Sequence, residues 1–294
     1  MNARIRYLGK WELGVLILCG AFVLLTIGAV GEKGRKRAKE VVCQANLRQW
    51  SSHFQDYVKQ NDGKFYSGCN DQGYWWPLQL PQELQDWKRN RAWFCPMAAK
   101  PLMDEHGKSS AMLGIHNAWG IFSAPTSITY GDKTYTMNPN GIAGSLGLNG
   151  YLIPLPLPAG QSTVPPRVPP RAITYESGVS AEDGWRNLLD VPQGNTVPMF
   201  LEALRFDLWP RPTDPPAESE FAAWTGNLMA RCCINRHDGV VNCLFVDGSV
   251  RKAGLKELWT LKWHRSFNTA GPWTKAGGAV PSDWPEWIRP FKDY

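Results

Sequence analysis

The sequence predicts an α+β fold: a long N-terminal helix, transmembrane over its first half, continuing into an antiparallel β-sheet head with large loop insertions. Three observations predict it. Leu13 to Gly31 is a run of nineteen residues without a charge, which as a helix spans roughly 28 Å, close to a bilayer core. Behind it, Cys43, Leu47, Trp50, Phe54 and Tyr57/Val58 recur at spacings of three and four, the single apolar stripe of an amphipathic helix. From Gly63 onward the pattern breaks into short strand-like runs. With 28 Gly and 23 Pro among 294 residues, long loops are expected and a helical bundle is not.

In chain order, residues 1–12 form a leader-like cytoplasmic segment, 13–31 the transmembrane helix, 32–62 its continuation outside the membrane, and 63–294 the globular head. The apolar run is longer than a signal-peptide core and passes without a cleavage pattern into Glu32, Lys33, Gly34, Arg35, Lys36 and Arg37. An uninterrupted helix from Leu8 to Asn61 makes a rod of roughly 80 Å. Asn61-Asp62-Gly63 supplies its stop, with a glycine suited to a left-handed cap. Cys19, inside the apolar run, reads as a small buried apolar residue.

The formal net charge is +6, and residues 1–40 hold eight basic and three acidic side chains. The basicity therefore flanks the apolar run, where it suits anionic headgroups, and a nucleic-acid partner is not expected. Basic residues stand on both sides of the run, so the positive-inside rule alone weakly favours an outside N-terminus; the cytoplasmic placement of residues 1–12 is what the resemblance described below implies.

In the head, Ile128–Tyr130 and Thr134–Thr136 flank Gly131-Asp132-Lys133 as a hairpin. Val240 to Val246 is an apolar strand with Asp-Gly at each end, Asp238-Gly239 and Asp247-Gly248, so Val250–Lys252 returns antiparallel. In that reading His237 caps or packs at the strand's start; the other reading is a metal or ligand site using His237, Asp238 or Asp247. Pro154 to Arg171 and Pro210 to Pro216 read as extended loops. Fifteen Trp are many for one domain. They either fill the core or present stacking surfaces to sugars or neighbouring subunits.

Taken together and in order, several segments resemble the type IV pilins and type II secretion pseudopilins, in the branch with a C-terminal H-X9-DG motif best known from Planctomycetes. They are the apolar helix with Glu12 at its edge, Cys43-Gln44-Ala45-Asn46-Leu47-Arg48-Gln49, Trp93-Phe94-Cys95-Pro96, Gly147-Leu148-Asn149-Gly150-Tyr151, and His237 followed by nine residues and Asp247-Gly248. The resemblance implies a pilin-like fold with the head in the periplasm and the helix in the inner membrane. It also implies a subunit-assembly role for Glu12, family-motif roles for His237, Asp247 and Gly248, and a Cys43–Cys95 disulfide. The partners implied are membrane lipid and other pilin or pseudopilin subunits. One position departs from the pattern: Tyr7, followed by Leu8, stands where the prepilin peptidase requires glycine. The chain is therefore expected to be processed poorly or to stay uncleaved.

No G-x-S-x-G, Walker or Rossmann pattern is present, and the five His have no ligand-like spacing. No C-x-x-C occurs, so the cysteine spacing does not suggest zinc. Six cysteines outside the apolar run (43, 69, 95, 232, 233 and 243) allow three bridges in an oxidising compartment, with Cys232 and Cys233 taking different partners. The expectation is a structural subunit of a secretion or pilus-like filament, not an enzyme, without cofactor or metal. The alternative is a membrane-tethered carbohydrate-binding module, which would show an exposed coplanar row of Trp.

Overall fold

The computed structural model describes residues 9–67, 75–110, 114–122, 127–130, 133–136, 141–155 and 174–294, without the side chains of residues 10, 12, 13, 24–30, 127–130 and 133–136. Tyr7, Leu8, the Glu12 side chain, Cys69 and the proline-rich stretch from 156 to 171 lie outside the described residues.

Helix α1 (Lys10–Gln60) opens the fold. Among the described residues, no helix is long and apolar enough to cross a membrane, which overturns the transmembrane helix expected over 13–31. Beyond Gly31 the helix turns charged. Cys19, expected to be buried, is exposed. The helix ends at Asp62 (φ 52°) and Gly63 (φ 81°), where the Gly63 amide donates to Val58 O at 2.9 Å. This is a left-handed cap that glycine adopts without strain.

The head also departs from the expected antiparallel sheet. Its strands are β1 (Lys100–Pro101), β2 (Asn117–Ile121), β3 (Ser127–Tyr130), β4 (Lys133–Thr136), β5 (Ile142–Gly144), β6 (Leu146–Asn149), β7 (Pro198–Glu202), β8 (Asp207–Leu208), β9 (Val240–Phe245) and β10 (Val250–Gly254). They form a five-stranded sheet of order β10-β9-β7-β6-β8, a three-stranded sheet β1-β2-β5 and the hairpin β3-β4. Both larger sheets are mixed, since β1 runs parallel to β2 and β6 parallel to β8. Three pairs of sheet neighbours, β7 with β9, β6 with β8 and β2 with β5, are not consecutive in the chain. Alternation along one strand says nothing of such an order.

The second half of α1 lies on the five-stranded sheet. Cys43, Leu47, Trp50, Phe54 and Val58 are all buried, and the helix touches the sheet through its polar flanks. Gln44 donates to Asn242 Oδ1 at 3.0 Å, and Ser51 Oγ donates to Gly248 O at 3.0 Å. Glu40 forms an ion pair with Lys252. Beneath the helix the core is aromatic: Trp50 meets Trp93, Phe54 and Phe200 at ring-centroid distances of 4.6, 5.1 and 5.3 Å. Ten Trp are buried (50, 75, 76, 93, 119, 185, 209, 259, 263 and 284), and Trp87, Trp224, Trp273 and Trp287 pack against them. The strongly exposed Trp is Trp11, on α1. Among the described residues no coplanar row of exposed Trp faces solvent.

Strand β8 carries a buried acid. Asp207 is fully buried, with Arg205 Nε at 3.4 Å. Burial pushes its carboxyl up to about 8, and Arg205 offsets this only in part because it also binds Glu176 with both terminal nitrogens. A group whose folded pKa is raised contributes stability below its unfolded value, here near 4, and that contribution is lost as pH rises through about 8. Asp207→Asn is expected to stabilise the head at pH 8 by several kcal/mol, up to about 5, and to leave it nearly unchanged at pH 4. Denaturant titration at the two pH values measures the difference, and an equal effect at both would refute it.

Candidate functional site

Four side chains remote in sequence converge where α1 meets the five-stranded sheet. Cys43 comes from the buried face of α1. Cys95 follows the turn Arg91–Trp93, Glu202 ends β7, and His237 precedes β9. Their donor atoms all lie within 4.8 Å of one another. Cys95 Sγ is 3.3 Å from His237 Nε2, and the same nitrogen is 2.9 Å from Glu202 Oε1.

Each member is held by its own backbone context. Asn46 donates to Phe94 O at 2.8 Å, tying the Cys95 segment to α1, and the Cys95 amide donates to Ser145 Oγ at 2.6 Å. Glu202 Oε2 accepts from the amide and the side chain of Asn242 at 2.8 and 3.2 Å. Asn242 is in turn fixed by Gln44. Beside them Arg236 is buried and donates to the carbonyls of Ile115, Ser145 and Asn117 at 2.5, 2.9 and 2.9 Å. Its charge thus sits in the core without a contacting carboxylate among these bonds.

The electrostatics follow from this crowding. Burial alone would push the Glu202 carboxyl up, but the charge and hydrogen bond of His237, with Arg236 and Asn242, bring it down to about 2. Burial likewise disfavours a charged His237, and Glu202 and Cys95 outweigh it, raising the imidazole to about 10. The hydrogen bond with Cys95, together with burial, holds the Cys43 thiol up. Burial also works against a Cys95 thiolate, but Cys43 and His237 bring that thiol below its ordinary value.

A cysteine, a histidine and a glutamate in contact invite comparison with a nucleophile relay. Such a relay uses the two imidazole nitrogens separately, one toward the thiol and the other toward the acid. Here Nε2 faces both partners, and Cys95 is fully buried. The arrangement converges on a point instead of passing a proton along a line. A cleft of about 580 Å³, lined among others by Lys36, Arg37, Glu40 and Lys252, opens onto Arg236 and His237. A cavity of about 800 Å³ elsewhere, bounded by Trp185, Asn187, Gln193 and Arg265, lies apart from these groups.

The residues singled out by the H-X9-DG pattern divide between two tasks. His237 does not cap a turn but enters the cluster. Asp247 Oδ1 accepts from the amide and hydroxyl of Ser249 at 2.9 and 2.7 Å, closing the β9–β10 turn. Gly248 has φ 85°, and a Cβ there would meet the Gln55 side chain of α1 at 1.8 Å. Gly248→Ala is expected to cost about 1–3 kcal/mol from backbone strain and lost seating of α1. Denaturant unfolding measures it, and a change within roughly 0.5 kcal/mol, the ordinary surface range, would refute it.

Cys43 and Cys95 are adjacent free thiols; Cys232, Cys233 and Cys243 are free and buried as well. Among the described residues no disulfide partner is found for Cys232 or Cys233, and the Cys232 thiol points to Met229 O at 3.3 Å. Glu202 and Arg236 were not expected at the site. A signal for Glu202 does exist: it is an acid inside the apolar run Val197–Leu204, where a charge needs a partner. No protein-family model, curated protein or solved structure matches the chain.

Proposed function

We propose that the chain is a structural subunit of a type II secretion or type IV pilus-like assembly, as the H-X9-DG resemblance implies. In this reading α1 packs among the helices of like subunits and the head is carried outside them. The expected location at the inner membrane, with the head on the periplasmic side, belongs to the same proposal.

The observation that carries it is the contrast between the two halves of α1. The second half is seated in the head. In the first half Val15, Leu16, Ile17, Leu18, Phe22 and Val23 are half or more exposed. Apolar side chains displayed in this way on a projecting helix call for a cover, and equivalent helices of other subunits supply one of matching length and chemistry. The second reading, a carbohydrate-binding module, lacks the exposed Trp row it requires.

Cys19 lies within the uncovered stretch, whereas the described cysteines of the head are buried. Mild oxidation of cells producing the full chain is expected to give disulfide-linked dimers and mixed adducts with partner subunits. Cys19→Ser should abolish them, and Ile17→Asp should reduce them about tenfold or more while the head's unfolding is unchanged. Recovery of the chain only as an uncrosslinked monomer would overturn the proposal.

A further inference from the structure

We propose that Cys43, Cys95, Glu202 and His237 form a closed tetrahedral site for a zinc-class divalent cation that clamps α1 to the head. The argument is geometric. Zinc bonds of about 2.0–2.3 Å at tetrahedral angles place donor atoms roughly 3.3–3.8 Å apart. All four donors lie within 4.8 Å of one another, with Cys95 Sγ and His237 Nε2 at 3.3 Å and His237 Nε2 and Glu202 Oε1 at 2.9 Å. The imidazole nitrogen that faces both sulfur and carboxylate is the lone pair a shared cation would take. Glu202 reserves Oε1 for that point, because Oε2 is occupied by Asn242.

Donor chemistry selects the cation. Two sulfurs and an imidazole are soft and borderline ligands that favour zinc over calcium or magnesium, and four protein ligands without an open position define a structural site. Charge selects it as well. Two thiolates and a carboxylate around a dication leave one negative charge, and the buried guanidinium of Arg236 balances it. This accounts for a charged side chain in the core whose described hydrogen bonds all go to neutral carbonyls. The supports are those a ligand shell needs: Asn242 and Gln44 orient the carboxylate, and the Met97 amide donates to Cys95 Sγ at 3.4 Å. The cleft that ends on His237 gives the ion a way in.

The ligands arrive from residues 43, 95, 202 and 237, so a bound ion joins the helix to the 93–96 loop and to two neighbouring strands. Its loss would loosen the base of α1. The competing fate of the same residues is the Cys43–Cys95 disulfide, which consumes both sulfurs and excludes the ion. The proposal does not depend on the filament reading.

The full-length chain, purified under reducing conditions, is assayed for bound metal and then stripped and titrated with cobalt(II). The expected result is on the order of one zinc per chain and a cobalt complex with intense tetrahedral d–d bands and a near-ultraviolet thiolate charge-transfer band. Cys95→Ser and His237→Gln should each weaken cobalt binding by more than ~100-fold, and Asn242→Ala, which leaves every ligand in place, by about 10-fold. The cobalt spectrum of the unmodified chain decides the matter even if a ligand variant fails to fold. A metal-free chain without the charge-transfer band would overturn the proposal. So would a Cys43–Cys95 disulfide in protein isolated from its native host, or cobalt binding that survives Cys95→Ser unchanged.

Discussion

Glu202→Gln is expected to destabilise the head by about 3 kcal/mol, at the lower end of what breaking a buried charge pair costs. The substitution keeps the shape of the side chain, so no cavity is made and the loss is electrostatic. Glu202 is fully buried at the end of β7 and faces His237 at 2.9 Å, and its charge acts on the buried Arg236. With the carboxylate neutralised, Arg236 stays in the core uncompensated. In the metal-free chain, to which this prediction applies, His237 is held in its protonated state by Glu202 and loses the reason to be charged. The unfolded chain hydrates all three groups, so the penalty falls on the folded state alone. Denaturant unfolding of the two proteins under identical conditions measures the difference. A change within about 0.5 kcal/mol would mean that the cluster is hydrated and the burial argument wrong. The double variant Glu202→Gln with His237→Gln removes one cation as well and is expected to recover part of the loss, so the two effects should not add.

That cluster marks the limit of what the sequence disclosed. Local patterns were legible where one element satisfies itself. The stripe from Cys43 to Val58 is buried along one helix face because its spacing matches the helical repeat. Asp-Gly pairs bracket β9 because a left-handed residue is needed at each end, and Asp238, Gly239 and Gly248 all have positive φ. The order of strands was not legible. Parallel pairing of β6 with β8 depends on a connection through β7, and no residue of β8 records its neighbour. The expected transmembrane span rested on the length of a charge-free apolar run, and among the described residues no helix is long and apolar enough to cross a membrane. A metal site is usually found by close spacing, as in C-x-x-C, and here every ligand is separated from the next by at least 35 positions. The trace left by such a site is a charge where burial forbids one. Glu202 and Arg236 carry that trace, in an apolar strand and directly before His237.

Trp50→Ala separates the two halves of α1 by experiment. Trp50 is buried at the centre of the aromatic cluster, stacked on Phe54 and edge-on to Trp93 and Phe200, and its indole N–H donates to Ala92 O at 2.9 Å. Removing the indole leaves a large cavity among rings that cannot collapse onto it, together with an orphaned carbonyl, at a cost of about 3–5 kcal/mol. The loss should be local as well as global. Amide hydrogen exchange over residues 43–58 should accelerate more than exchange in β9 and β7, because the helix is held to the sheet chiefly by this side chain and its neighbours. Leu16→Ala, in the second turn of the same helix, truncates a smaller, aliphatic side chain that is 55% exposed. It should leave unfolding within roughly 0.5 kcal/mol of the parent. Uniform sensitivity along α1 would contradict the division of the helix into a seated half and an uncovered half, because only burial against the head makes Trp50 costly to lose.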